Sequence, residues 1–218
     1  MLGDLPPAPR VLDLGCGPGR QTLTLARLTG GRITAVDLMV PFLDALRTRA
    51  VEEGLETQIE TLQCSMESVR PESGPYDLIW SEGAIYNIGF AAGLAAWRPL
   101  LRPGAGLAVS ELTWLTDARP ERVRTYWSAS YPGMRSWPEN EARIHETGYQ
   151  RVGSFELPES DWWDAYYGEI ERRIARLRSE TSDRAAQDAL DAAQEEIDVF
   201  RERRGSYGYV FYVMRRPL

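Results

Sequence analysis

The stretch "VLDLGCGPGR", residues 11–20, decides the fold. It opens with an apolar run, Val11-Leu12 and Leu14 around Asp13. It closes on glycines at alternate positions, Gly15, Gly17 and Gly19. Glycine lets a backbone bend sharply and approach a ligand with no Cβ in the way. A turn of this kind joins a strand to a helix and points to a bound cofactor, and several cofactors use such turns.

Outward from that turn the hydrophobic period alternates. "RVLDL" (10–14) reads as a short strand, and "RQTLTLARL" (20–28) has the apolar spacing of a helix. "GRITAVDL" (31–38) is a strand ending on an acid. "PFLDALRTRAVEEG" (41–54) is a helix, with proline in its first turn and glycine at its end. Strands follow at 57–65, 76–80 and 104–112, the last after a Pro-Gly turn, with a helix over 90–98 between them. "YDLIW" (76–80) is apolar enough to be buried on both faces. Strand and helix in regular succession mean a parallel sheet covered on both faces.

The second half departs from that rhythm. Helices are expected over 119–130 and 138–148, and "YQRVGSFEL" (149–157) alternates like a strand. Residues 160–204 read as one or two charged helices, with Ile170, Ile174, Leu177, Leu190, Ile197 and Phe200 as the apolar stripe. "YGYVFYVMRR" (207–216) is an aromatic, β-branched final strand. The expectation is one domain over 1–218, with a helical lid inserted at 158–205.

Composition narrows the function classes. The chain has 218 residues, enough for one domain with a core, and a formal net charge of −7. That balance argues against a protein that wraps a polyanion, and "RERR" (201–204) reads as a solvated helix end. Two cysteines, Cys16 and Cys64, are too few for a disulfide framework or a cysteine-only metal site. No apolar run approaches the ~20 residues of a membrane helix, and no signal peptide is recognised. The expected location is cytoplasmic.

The glycine spacing chooses among cofactors. In the dinucleotide fingerprint G-x-G-x-x-G, counted from Gly15, the third glycine falls on position 20, which is Arg20. The acid stands instead two residues before the first glycine, at Asp13, and a second acid, Asp37, ends the next strand. Pro18 also removes one N–H group that a phosphate cradle would use.

With that spacing, "VLDLGCGPGRQT" resembles motif I of the class I S-adenosylmethionine-dependent methyltransferases, and "ITAVDL" resembles their motif II. "YDLIWSEGAIYNIGF" (76–90), "SELTWLTDARPE", "SFELPESDWWDAYY" and the terminal "YGYVFYVM" are similar to a group of bacterial methyltransferases of unassigned substrate. The resemblance runs over nearly the whole chain. It implies an α/β, Rossmann-like, doubly wound sheet of seven strands, mostly parallel with an antiparallel last strand. It also implies S-adenosyl-L-methionine as cofactor, held by Asp13, Gly15, Cys16, Gly17, Gln21, Asp37, Leu38, Ser65, Met66, Glu67 and Glu82. Asp37 would take both ribose hydroxyls. Ser65 stands where many relatives carry an aspartate for the adenine amino group, and Met66 suits the adenine face. Relatives have a few tens of residues ahead of the first strand, folded as helices over the cofactor. Here "MLGDLPPAPR" alone precedes it, which implies a late start or an open site.

Catalytic residues are expected beyond the carboxyl end of the fourth strand, where open α/β sheets bind ligands. Glu82 could meet the cofactor's ammonium, act as a base, or cap the following helix. Tyr86 and Asn87 would line the acceptor side, or Tyr86 would pack beneath its loop. His145 is the single histidine and so a candidate base at neutral pH, on a short polar helix where a surface position is usual. Trp114, Tyr126, Trp127, Tyr131, Trp162, Trp163, Tyr166 and Tyr167 read as core rings, some of them walling an acceptor pocket able to hold a flat or cationic molecule. Glu82 and Glu111 alone do not make an acidic metal cluster, so no metal is expected. "SEGAIY" lacks the Asn/Asp-Pro-Pro-aromatic loop of enzymes that methylate DNA amines.

The leading reading is methyl transfer to a small-molecule acceptor, without nucleic acid or membrane as partner and with a homodimer possible. The alternatives are an S-adenosylmethionine-binding protein without turnover and an NAD-dependent oxidoreductase.

Overall fold

The computed structural model describes residues 5–70, 73–163 and 167–218. Its sheet starts where the sequence places it, with β1 (Arg10–Leu14), α1 (Arg20–Thr29), β2 (Arg32–Asp37), α2 (Val40–Glu52) and β3 (Ile59–Gln63). Pro41 lies in the first turn of α2, where a missing N–H is harmless, and Gly54 follows the helix with φ +68°. β4 (Tyr76–Ser81), α3 (Phe90–Trp97) and β5 (Leu101–Trp114) complete the alternating half.

β5 is longer than the expected 104–112. Its pairing with β4 slips between Tyr76↔Leu101 and Leu78↔Gly106, so Pro103-Gly104 forms a bulge inside the strand rather than a turn before it. A bulge is where an inner strand tolerates proline.

The sheet runs β3-β2-β1-β4-β5-β8-β7, where β7 is Gln150–Glu156 and β8 is Tyr207–Arg215. β6 (Arg135–Ser136) adds a two-residue pairing beside the end of β5, too short for the sequence to announce. The pairs among β1 to β5 are parallel. β8 runs the other way, since Ala105 pairs with Arg216 while Leu115 pairs with Ser206. The expected mostly parallel sheet with an antiparallel last strand is the one observed, with the short β6 as an eighth strand.

β1 lies between β2 and β4, so the strand order reverses there. Open α/β sheets bind ligands at that reversal, beyond the carboxyl ends of the strands. The core beneath it is apolar: Val11, Ile33 and Leu78 from the sheet meet Leu23, Ala26, Leu43 and Leu46 from α1 and α2.

The chain divides into two compact units. The first holds the residues up to Leu112 with Trp137–Phe155 and Tyr209–Leu218, including α5 (Trp137–Glu146), which packs on α3. The second holds Thr113–Ser136 and Glu156–Gly208. Its helices are α4 (Glu121–Ser130), α6 (Glu159–Trp162), α7 (Gly168–Glu180) and α8 (Arg184–Glu202). Ile174, Ile197 and Phe200 of the predicted stripe are buried there, and α8 packs on both α4 and α7.

Candidate active site

The turn after β1 is fastened by its own backbone. Gly15 and Cys16 both donate their N–H to the Val36 carbonyl, at 2.9 and 3.0 Å, and Gly19 donates to Cys16 at 3.0 Å. Gly17 donates to Asp37 Oδ2 at 2.9 Å, while Asp37 Oδ1 accepts the Met39 N–H at 2.9 Å. Pro18 has no N–H. Every N–H from Gly15 to Gly19 is therefore engaged within the protein, so the turn itself offers none to a pyrophosphate.

The three glycines are needed for different reasons. A Cβ on Gly15 would stand 2.3 Å from the Ala84 Cβ and 3.4 Å from Met66 Cε. One on Gly19 would strike Leu46 at 2.2 Å, so this glycine lets α1 approach α2. A Cβ on Gly17, at φ +52°, would meet nothing within 4 Å, so there the turn faces open space. The open side of the turn is the side at Gly17.

Asp13 is not at that surface. Its carboxylate is 2% exposed and accepts the Thr22 hydroxyl from α1 at 2.6 Å. Burial, with the Glu82 and Asp37 charges adding, raises its pKa to about 7, although the Thr22 bond opposes the shift. Asp13, expected among the residues that hold the cofactor, therefore braces the turn from behind. The turn of an internal strand has one side toward α1, and Asp13 points there. Cys16 is a buried filler, its thiol held up and protonated by burial and then by the Asp13 and Asp37 charges.

The loop after β4 is fixed at three points. Ser81 Oγ donates to the Leu14 carbonyl at 2.9 Å, Gly83 N–H donates to Ser110 Oγ at 2.8 Å, and Ala84 abuts Gly15. Between the first two anchors stands half-buried Glu82, whose Oε2 accepts the Trp80 indole N–H at 3.2 Å. It caps no helix: neither the 3₁₀ turn Ile85–Asn87 nor α3 has a side-chain cap. Tyr86 is half-buried with its ring 6.3 Å from that of Tyr209, and Asn87 donates its amide to the Ala84 carbonyl at 2.9 Å.

Met66 reaches Gly15, and its carbonyl accepts the Trp97 indole N–H at 2.9 Å. Ser65 and Glu67 form a local turn, with the Glu67 N–H on Ser65 Oγ at 3.3 Å. Gln21 is half-buried in the first turn of α1, and Leu38 is 61% exposed beside Asp37. The structure thus gathers Gly15, Gly17, Asp37, Leu38, Met66 and Glu82 at the strand reversal.

His145 is not among them. It is exposed near the end of α5, three residues before Gly148, whose carbonyl accepts from Arg98 just ahead of β5. That is the amino-terminal edge of the sheet, opposite the glycine turn. The residues that the sequence did not single out are Thr22, Trp80, Ser81, Ala84 and Ser110. Only Trp80 carried a signal, since residues two apart on a strand share a face.

In the second unit the predicted rings form a core. Tyr207 meets Trp114, Trp127 and Phe200 at 6.0, 5.3 and 6.3 Å, and Phe200 meets Tyr167 and Trp163 at 4.7 and 6.2 Å. Tyr126 stands edge-on to Trp127, and Tyr131 is half-buried. Tyr166 and the Trp162 side chain lie outside the described residues. Among the described residues no helix is long and apolar enough to cross a membrane.

This architecture has named counterparts. Residues 11–104 match the family model of a methyltransferase domain. The fold is also that of solved methyltransferases. It superposes on an S-adenosylmethionine-dependent methyltransferase from Geobacter sulfurreducens, in complex with S-adenosyl-L-homocysteine, with a TM-score of 0.82 at 23% identity, covering 97% of this chain and 86% of that one. A geranyl diphosphate C-methyltransferase from Streptomyces coelicolor gives 0.71 at 18% identity, over 99% of this chain and 75% of that one. By sequence, a dimethylglycine N-methyltransferase of Parasynechococcus marenigrum is 37% identical over 154 residues, 62% of this chain and 55% of its own. A ubiquinone biosynthesis O-methyltransferase of Nitrosococcus oceani is 37% identical over 105 residues, 47% of this chain and 43% of its own. The chain spans about half the length of the curated relatives it matches.

Proposed function

We propose that this chain transfers a methyl group from S-adenosyl-L-methionine to a small-molecule acceptor. The observation that carries the reading is the glycine turn. Its N–H groups are all engaged, Gly17 is open, and Asp37 stands beside it, which suits a nucleoside without phosphates and disfavours a dinucleotide. The domain match over 11–104 and the named relatives support it.

Within this reading Asp37 serves twice. Each of its oxygens already accepts one backbone N–H and keeps lone pairs for the two ribose hydroxyls. Leu38 and Met66 offer apolar surface for an adenine ring, and Ser65 and Glu67 the polar atoms beside it. Glu82 meets the ammonium of the amino-acid tail, and Tyr86 lines the acceptor side. The donor, when bound, supplies a methyl carbon on a sulfonium. What the protein adds is alignment, which is worth on the order of 7–11 kcal/mol in favourable intramolecular cases. We also propose that residues 158–205 form a helical lid insertion. A net charge of −7 favours a small acceptor over a nucleic acid. A cytoplasmic enzyme of the bacterial group carrying the WSEGAIYNIGF loop completes the reading.

The test is calorimetric titration with S-adenosylhomocysteine, with NAD as control, followed by acceptor screening for S-adenosylhomocysteine release. Binding of the first ligand alone, with release on some acceptor, supports the enzyme. Binding without release on any acceptor supports a non-catalytic binder. Binding of NAD alone overturns the assignment.

A further inference from the structure

We infer that Trp80 is a positioning residue for Glu82: its indole N–H holds the carboxylate at the carboxyl end of β4, ready for a cation. The inference rests on the donor-tail role given to Glu82 above.

Trp80 and Glu82 are two residues apart, so their side chains leave the chain on the same face, and Nε1 comes to 3.2 Å from Oε2. Trp80 pairs with Asp13 across the β1–β4 ladder, which puts it at the strand reversal itself. The ring is braced on two sides. Phe211 lies 4.8 Å away, itself stacked on Phe155 at 5.6 Å and 8°, and the apolar cluster beneath α1 and α2 packs against the indole. An indole held in this way cannot follow a carboxylate that swings, so the bond fixes the carboxylate.

The surroundings make such a donor useful. The Asp13 carboxylate feels the charges of both Glu82 and Asp37, and repulsion between neighbouring carboxylates favours turning Glu82 away. A fixed N–H opposes that rotation. Ser81 and Gly83, on either side of Glu82, are tied to Leu14 and Ser110, so the backbone cannot drift either. Side chain and backbone are thus both set before a ligand arrives, which is what efficient recognition of a charged group requires.

The experiment is a double-mutant cycle of Trp80→Phe and Glu82→Gln. Two ligands are titrated: S-adenosylhomocysteine, which has the ammonium, and 5′-methylthioadenosine, which lacks the amino-acid tail. Trp80→Phe keeps the aromatic packing and removes the N–H. It should weaken S-adenosylhomocysteine about tenfold, leave methylthioadenosine within twofold, and add nothing in the Glu82→Gln background. Equal weakening of both ligands would mean a structural role and overturn the inference. So would a full Trp80→Phe effect with Gln at position 82, or no effect at all. If the wild type binds methylthioadenosine but not S-adenosylhomocysteine, Glu82 does not read the tail. The inference then falls while the nucleoside site stands. If it binds neither, the methyltransferase reading fails and takes this inference with it.

Discussion

Ala84 occupies the place that a side chain on Gly15 would need. A Cβ built on Gly15 stands 2.3 Å from the Ala84 Cβ, and the two belong to different loops, after β1 and after β4. Contact between them ties the glycine turn to the loop that carries Glu82.

The glycines should therefore respond unequally to alanine. Gly15→Ala adds a clash to a left-handed φ of +72°, for a loss of roughly 2–5 kcal/mol. Gly17→Ala meets nothing within 4 Å and bears only the conformational strain, about 1–2 kcal/mol. Thermal melts of the two variants check this. Equal losses would show that the Gly15–Ala84 approach is not a constraint.

Asp13 gives a pH dependence with a defined sign. Its pKa rises from an ordinary 3.8 to about 7 in the folded chain, chiefly through burial. Between those values the folded state keeps a proton that the unfolded state has lost, so raising the pH favours unfolding. The stabilisation is whole below about pH 4 and is lost as pH climbs through about 7, on the order of 4 kcal/mol in all. Asp13→Asn removes the dependence while keeping an acceptor for Thr22. Melting temperatures from pH 4 to 8 should show the variant gaining on the wild type with rising pH, and parallel curves would contradict it.

Asp37 should separate binding from stability. Asp37→Ala frees the N–H groups of Gly17 and Met39, which sit at half-buried or exposed positions where water can satisfy them. The stability loss should be about 1–2 kcal/mol, with S-adenosylhomocysteine binding abolished. Calorimetry and a melt on the same sample read both.

His145→Ala should change neither S-adenosylhomocysteine affinity nor melting temperature appreciably. The residue is exposed at the amino-terminal edge of the sheet. A tenfold loss of affinity would place that edge in the site after all.

Much of this was legible in the sequence because it is written in local pattern. The period of apolar residues gave the strands and helices from Arg10 to Trp97, and an acid closing a strand located Asp37. What was not legible depends on which side of an element meets which neighbour. "VLDL" says that Asp13 belongs to a strand, not that Thr22 of α1 lies over it. "NEARIHETG" says that His145 belongs to a helix, not at which end of the sheet that helix finishes. Pro103-Gly104 reads as a turn until β4 is found alongside it, slipped in register. The rings of the second unit were read as core with some walling a pocket. The contacts around Tyr207 and Phe200 account for the core part from residues far apart in the chain.

The self-sufficient hydrogen bonding of the glycine turn bears on kinetics as well as on selectivity. A loop that waits for a ligand to satisfy its N–H groups must be ordered at the moment of capture, and that slows association. Here the segment from Gly15 to Gly19 is already satisfied by Val36, Asp37 and Cys16. A nucleoside would meet a finished surface, and its rate of arrival would be governed by diffusion and access rather than by folding of the turn.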